Sequence, residues 1–340
     1  MLDILSLRQA ELESEILSLG EKKFRAKQIY EWLHSKRVTS FDEMTNISVE
    51  FRTKLSQHFY LKSLNISRKL ESSIDNTVKY LYELSDGNHI ETVMMEYHYG
   101  NSLCISTQVG CKMGCKFCAS TIAGFKRNLS PSEMLLQLYC AERDSGKKVS
   151  SIVLMGIGEP LDNYDNVLAF LDILSSENGT NMSLRHVSLS TCGLVDKIYE
   201  LAKFKYGLTL SISLHAANDL GRSEIMPINN TYNIQKLITA CKFYIKETGR
   251  RISFEYALID GVNNSKETAD ELIRLLRGIN CHVNIIPVNS IKERDFKSSR
   301  RSVEKFVSFL EDGGINATVR RTLGTDINAA CGQLRREYEM

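Results

Sequence analysis

From about residue 103 onward, short apolar and β-branched runs alternate with longer runs of helical periodicity. LCIST precedes PSEMLLQLYCAER, SIVLMGIG precedes NVLAFLDILSSE, and HVSLST precedes VDKIYELAKF. The series continues with LTLSISLH and YNIQKLITACKFYIKE, ISFEYALI and KETADELIRLLRG, and VNIIPVN and RSVEKFVSFLEDG, before NATVRRT closes it. Strands that are apolar almost throughout are buried on both faces, and helices between them imply parallel pairing. Six such units are too few for an eight-fold barrel. The expected fold is therefore α/β, a partial (βα)6 TIM-like barrel. Functional groups of such barrels gather at the carboxyl ends of the strands. The segments that follow the strands, GIGEP, STCG, SLHAAND and PVNS, are the places to look.

Ahead of this series the pattern differs. ILSLRQAELESEILSLG, FRAKQIYEWLHSK and VEFRTKLSQHF place apolar residues at intervals of three and four, as amphipathic helices do. VKYLYELS and HIETVMMEYH then flank Asp86-Gly87, a pair that favours hairpin turns. The expected organisation is a mainly helical accessory domain over 1–75, a β-hairpin extension over 76–102 and the barrel over 103–340.

Composition narrows the function classes. No apolar run approaches the roughly 18 residues of a membrane span, and MLDILSLRQAELESE lacks the basic and apolar blocks of a signal peptide. A cytoplasmic location is expected. Nine cysteines in such a chain point to reduced thiols, some of them ligands or reactive groups, rather than to a disulfide scaffold. A net charge of +2 identifies no nucleic-acid partner by itself. Local pairs such as Lys126-Arg127, Arg250-Arg251, Arg320-Arg321 and Arg335-Arg336 can meet phosphates, and each can equally be a solvated surface pair.

The stretch CISTQVGCKMGCKFCAS, residues 104–120, carries the chemistry. Cys111, Cys115 and Cys118 stand at intervals of four and three, with Cys104 seven residues ahead. A structural zinc site needs a fourth Cys or His, yet the next cysteine, Cys140, falls in a helical run. A [4Fe–4S] cube is normally held by four thiolates. Three leave one iron open to an exogenous ligand. Gly110 and Gly114 suit a loop that wraps such a group closely. A chance gathering of thiols is the bland alternative.

The CxxxCxxC spacing directly after the first barrel strand resembles the radical S-adenosylmethionine superfamily. In that superfamily the amino and carboxylate groups of the cofactor chelate the open iron, and one electron cleaves the sulfonium to a 5′-deoxyadenosyl radical. From about residue 20 to 336 the chain is more closely similar to the bacterial adenine-C2 methyltransferases of 23S rRNA and tRNA. The residues that carry this likeness are LCISTQVGCKMGCKFCAS, MGIGEPLDNYDNV, SLSTCG, LSISLHAAND, IMPIN, NIIPVN and RRTLGTDINAACGQLR.

This resemblance implies one [4Fe–4S] cluster on Cys111, Cys115 and Cys118, and two S-adenosylmethionine molecules per turnover. Cys331 would take a methyl group from the first. The second would generate the radical that removes hydrogen from that methyl, and the carbon radical would add to C2 of adenine. Glu91 would accept the C2 proton, and Cys104 would attack the Cys331 sulfur, releasing methylated RNA and leaving a disulfide. Read as a residue alone, Glu91 is only a carboxylate on the second hairpin strand, and two isolated cysteines are commonly small buried residues. The cofactor would be bound by Gly158, Glu159, Ser190, Ser213, Leu214, His215 and Asn289. The implied partners are 23S rRNA, tRNA and an electron donor such as flavodoxin or ferredoxin, acting on a monomer. Cys140, Cys192, Cys241 and Cys281 have no implied role and are read as buried bystanders, and Met226-Pro227 as structural.

C2 of a stacked adenine is out of reach, so the nucleotide must be exposed in a loop or drawn into a pocket. Lys22, Lys23, Arg25, Lys27, Lys36 and Arg37 are candidate docking cations, or simply solvated helix faces. Trp32 is read as helix packing. The nearest rival shares the chemistry but methylates C8 of the same rRNA adenine, giving ribosomal antibiotic resistance. Its members tend to carry Ala after the Gly-Glu pair, where this chain has Pro160. From other classes come an RNA-binding module with a structural metal and a radical dehydrogenase or activase.

Overall fold

In the computed structural model, residues 1–288, 296–329 and 333 are described. One ten-stranded sheet organises the molecule. Its strands are β1 (Asn65–Glu71), β2 (Val78–Glu83), β3 (His89–Tyr97), β4 (Gly100–Cys104) and β5 (Val149–Leu154). They continue with β6 (Val187–Thr191), β7 (Thr209–Ser213), β8 (Ile252–Leu258), β9 (Cys281–Pro287) and β10 (Ala317–Val319). Spatial order follows chain order throughout. From β4 to β10 every pairing is parallel. Sequential parallel order with a helix in each crossover is the barrel topology. Six βα units plus a short seventh strand make the expected partial barrel.

The crossover helices are α4 (Pro131–Ser145), α5 (Tyr164–Ser175), α6 (Val195–Phe204), α7 (Asp219–Ile225), α8 (Ile234–Thr248), α9 (Lys266–Leu276) and α10 (Arg300–Asp312), which follow the accessory helices α1 to α3 described below. Local chemistry sets their ends. Ser130 caps α4 by accepting from the Glu133 N–H, Glu133 returns to the Ser130 N–H, and Pro131 opens the first turn. Gly146, at φ +66°, closes it in the left-handed conformation that a glycine adopts freely.

The accessory helices are α1 (Gln9–Ser18), α2 (Lys23–His34) and α3 (Val49–His58). The segment 1–75, expected to be mainly helical, ends in a strand. Residues 65–71 form β1, so the hairpin is one part of a three-strand antiparallel extension. The reason is in NISRKLE, where a polar, mostly exposed strand carries little apolar alternation to announce itself. The Asp86-Gly87 turn forms as expected, with Gly87 at φ +77°.

Helix α2 is locked to α4 at the domain junction. His34 Nδ1 lies 3.0 Å from the Tyr139 hydroxyl, and Arg37 pairs with Glu142. Arg8 Nε donates to Asp172 at 2.6 Å, tying the start of the chain to α5. Trp32 packs partly against the core, with Lys36 over its ring. No helix among the described residues is long and apolar enough to cross a membrane.

Burial, reinforced by the Arg37 charge, lowers the His34 pKa to about 3. The unfolded chain binds this proton below about pH 6.5, and the folded chain does not until near pH 3. Stability is therefore retained above pH 6.5 and falls with acidification, by roughly 1.4 kcal/mol per pH unit for this group. His34→Gln keeps a polar partner for Tyr139 without titrating. Its melting temperature is expected to depend less steeply on pH between 6.5 and 4 than that of the wild type, as measured by thermal denaturation.

Candidate active site

The cysteine loop leaves β4 and folds over the carboxyl ends of the strands. Cys111, Cys115 and Cys118 line one cavity of about 140 Å³ with Gly158, Glu159, Ser190, Ser213 and His215. Two glycines make the loop possible. At Gly110, φ +75°, a Cβ would lie 1.7 Å from the Gly124 carbonyl oxygen. At Gly158, φ +110°, a Cβ would lie 2.6 Å from the Gln108 side chain. Among the described residues no three His, Cys, Asp or Glu side chains converge on a single metal ion. The three thiols instead share a cavity wall, which suits a cube whose irons each take their own thiolate.

Burial pushes the Cys111 thiol up to about 12 and the Cys115 thiol higher, with neighbouring thiols adding to the shift. Both are protonated at neutral pH until iron displaces the proton. The donor set of three soft thiols fits an iron–sulfur cube.

Opposite the cysteines, Glu159 is 4% exposed and accepts from two backbone amides, Cys192 N at 2.7 Å and Leu161 N at 3.0 Å. Burial raises its pKa. The Thr191 and Cys192 side chains also hydrogen-bond to it, so a ligand cation would displace one of these partners from its about four acceptor sites. His215, at φ +57°, accepts the Ala257 N–H on Nδ1 at 2.8 Å, which puts its proton on Nε2. Burial first and Arg222 second lower its pKa to about 3, so the ring is neutral. Phe117 of the cysteine loop meets it edge-on at 4.6 Å. Ser190 and Ser213 line the cavity near the ends of β6 and β7. Leu214 does not: its side chain lies in the core, and its N–H donates to the Glu255 carbonyl. Asn289 lies outside the described residues.

A second cavity of about 510 Å³ continues down the barrel lumen, sharing Met155, Ile286 and Arg320 with the first. Cys104 lines it, 9% exposed, and packs with Val93, Ile157 and Ala329. Glu91, on β3 beside it, is 1% exposed and paired with Lys79 at 3.1 Å. Lys79 also donates to the Asn328 carbonyl at 3.2 Å. Asp326 accepts from Ser72 Oγ at 2.8 Å and Ser73 N at 2.9 Å, and Asp75 accepts from Gly324 N at 2.8 Å. The antiparallel extension thus grips residues 324–329 against the wall that holds Cys104. Cys331, two positions beyond Ala329, lies outside the described residues.

Several residues here escaped the sequence reading. Arg222 is fully buried and donates to Cys192 O at 2.6 Å, Ser213 O at 3.1 Å, Leu214 O at 3.2 Å and Asn229 Oδ1 at 3.1 Å. It ties together the ends of β6 and β7. Glu255, also buried, accepts from Arg320 at 3.0 Å and Asn284 at 2.9 Å between the two cavities. Cys192, read as a bystander, lines the upper cavity beside Cys115, and Met226 does too. A lone Arg in a short helix gives no sequence signal, because its partners are backbone carbonyls from distant strands. Arg222→Met keeps bulk but strands those acceptors. A loss of more than about 3 kcal/mol is expected, read as a lower midpoint in chemical denaturation.

Comparison with known proteins agrees with this geometry. Residues 2–61 match the ribosomal RNA large subunit methyltransferase N-terminal domain, and residues 105–303 match the radical SAM superfamily. A probable dual-specificity RNA methyltransferase RlmN of Lachnoclostridium phytofermentans is 54% identical, over 99% of this chain and 95% of the relative. One from Lachnospira eligens is 53% identical, over 99% and 97%. The crystal structure of a radical SAM methyltransferase from Sphaerobacter thermophilus superposes with a TM-score of 0.94 at 42% identity, over 98% of this chain and 99% of that one. The chain belongs to the radical SAM superfamily and, within it, to the RlmN family of RNA methyltransferases.

Proposed function

We propose that the protein methylates C2 of adenosine in 23S rRNA and in tRNA, through a methyl group carried on Cys331 and with two S-adenosylmethionine molecules per turnover. The observation that carries this reading is the placement of Cys104. It lines the lumen next to the cofactor cavity, on the wall to which residues 324–329 bring the chain just ahead of Cys331.

When bound, the cluster and S-adenosylmethionine supply one-electron cleavage of a sulfonium and hence hydrogen abstraction. The residues do the rest. Cys111, Cys115 and Cys118 would hold the cluster. Glu159 would accept from the methionyl amino group, and the neutral His215 would offer an Nε2–H donor. Glu91 takes the C2 proton, its charge balanced by Lys79, and the Cys104 thiolate attacks the Cys331 sulfur to free the product. An electron donor of the flavodoxin or ferredoxin class, a monomeric state and a cytoplasmic setting complete the reading.

Incubation with methyl-labelled S-adenosylmethionine and no RNA is expected to leave label on Cys331 after denaturation, and none in Cys331→Ser. With RNA, the product nucleoside is expected to be 2-methyladenosine by mass spectrometry. An 8-methyl product overturns the assignment. Cys104→Ala is expected to accumulate protein covalently joined to RNA, visible as a slow band in denaturing gels.

The cluster assignment is checked separately. Cys118→Ala is expected to fall from about four irons per chain to near background after anaerobic reconstitution, measured as iron and acid-labile sulfide.

A further inference from the structure

The mouth of the lower cavity carries two aromatic rings for which the chemistry above has no use. Tyr97 ends β3, and Tyr99 lies in the turn to β4. Their rings stack at 5.0 Å with 8° between planes, and His98 meets Tyr99 edge-on at 5.0 Å. Both tyrosines line the cavity, yet Tyr99 is 64% exposed. Its position is held by its turn. Gly100, at φ +129°, sits so close to Ser150 that a Cβ would come within 2.3 Å of the hydroxyl. Ser150 Oγ donates to Asn101 O at 2.9 Å, and Asn101 Nδ2 donates to Lys148 O at 2.8 Å. The turn is therefore pinned through the Lys148 backbone, while the Lys148 ammonium pairs with Glu142 at 3.5 Å. Arg185 and Arg321 stand at the same mouth.

The register sets the depth. Val93 of β3 pairs with Cys104, and Tyr97 lies four residues further along the strand, roughly 13 Å away. A nucleotide drawn in until its base reaches Cys104 leaves its chain neighbour at the mouth. There an aromatic face and several cations meet it, the combination that binds single-stranded RNA.

We propose that Tyr97 and Tyr99 form a stacking subsite for the base adjoining the target nucleotide, with Arg185 and Arg321 on the flanking phosphates. This rests on the reading of the chain as an RNA methyltransferase. The target strand then enters from the amino ends of the strands, opposite the cofactor cavity.

The test uses the full chain and a stem–loop RNA with an unpaired loop adenosine, 2-aminopurine beside it and fluorescein at one end. Anisotropy reads affinity, and 2-aminopurine quenching reads stacking. Tyr99→Ala is expected to weaken binding about five-fold or more and to lose the quenching, while Tyr99→Phe keeps both. Arg185→Ala is expected to lower the slope of log affinity against log salt by about 0.7 and to keep the quenching. Unaltered affinity and quenching in Tyr99→Ala overturn the subsite and leave the RNA reading standing. If the wild type does not bind the RNA, both fall.

Discussion

A carboxylate buried to 1% exposure needs a cation at its side, because an uncompensated charge in the interior is very costly. Lys79 meets that need for Glu91 and reaches the Asn328 carbonyl with the same ammonium. One side chain thus joins the antiparallel extension, the proposed proton acceptor and the segment leading to Cys331. Asp75 and Asp326 add hydrogen bonds from the loop to the same extension. The extension thus holds residues 324–328 by hydrogen bonds, while Ala329 packs on the barrel wall beside Cys104.

The upper cavity depends on a different balance. Burial pushes the Cys111 and Cys115 thiols and the Glu159 carboxyl up and keeps His215 neutral. A cluster and a sulfonium bound there would be stabilised by the oriented donors and acceptors that the chain provides. Arg222 sets much of that orientation by fixing the carbonyls at the ends of β6 and β7. Gln108 helps from the other side. Its side-chain oxygen accepts the Glu159 N–H at 2.9 Å, and its amide donates to Asp162 at 2.7 Å.

The lumen divides the labour of the site. The cavity lined by Cys111, Cys115, Cys118, Ser190 and Ser213 lies at the carboxyl ends of the strands, where barrels place their functional groups. The space beneath, with Cys104 on its wall, opens toward the amino ends. Arg320 and Glu255 stand where the two cavities meet, so the reacting carbon is reached from opposite sides by cofactor and by RNA under the proposed function.

Alternation of apolar runs with helical periods was enough to determine the parallel barrel, because strands buried on both faces leave no other periodicity. The cysteine spacing and most of the strand-end segments likewise marked residues that line one cavity, since ligands to one group must lie close in a short loop. Neither signal reaches the partners that come from far along the chain. Tertiary structure alone decided that NISRKLE is a strand, that Leu214 faces the core and that Cys192 and Arg222 belong to the site. It also decided that Ala329, 225 residues beyond Cys104 (329 − 104), packs on the same wall. These are contacts between backbone carbonyls, carboxylates and side chains of separate strands, and they exist only after the sheet has brought those strands together.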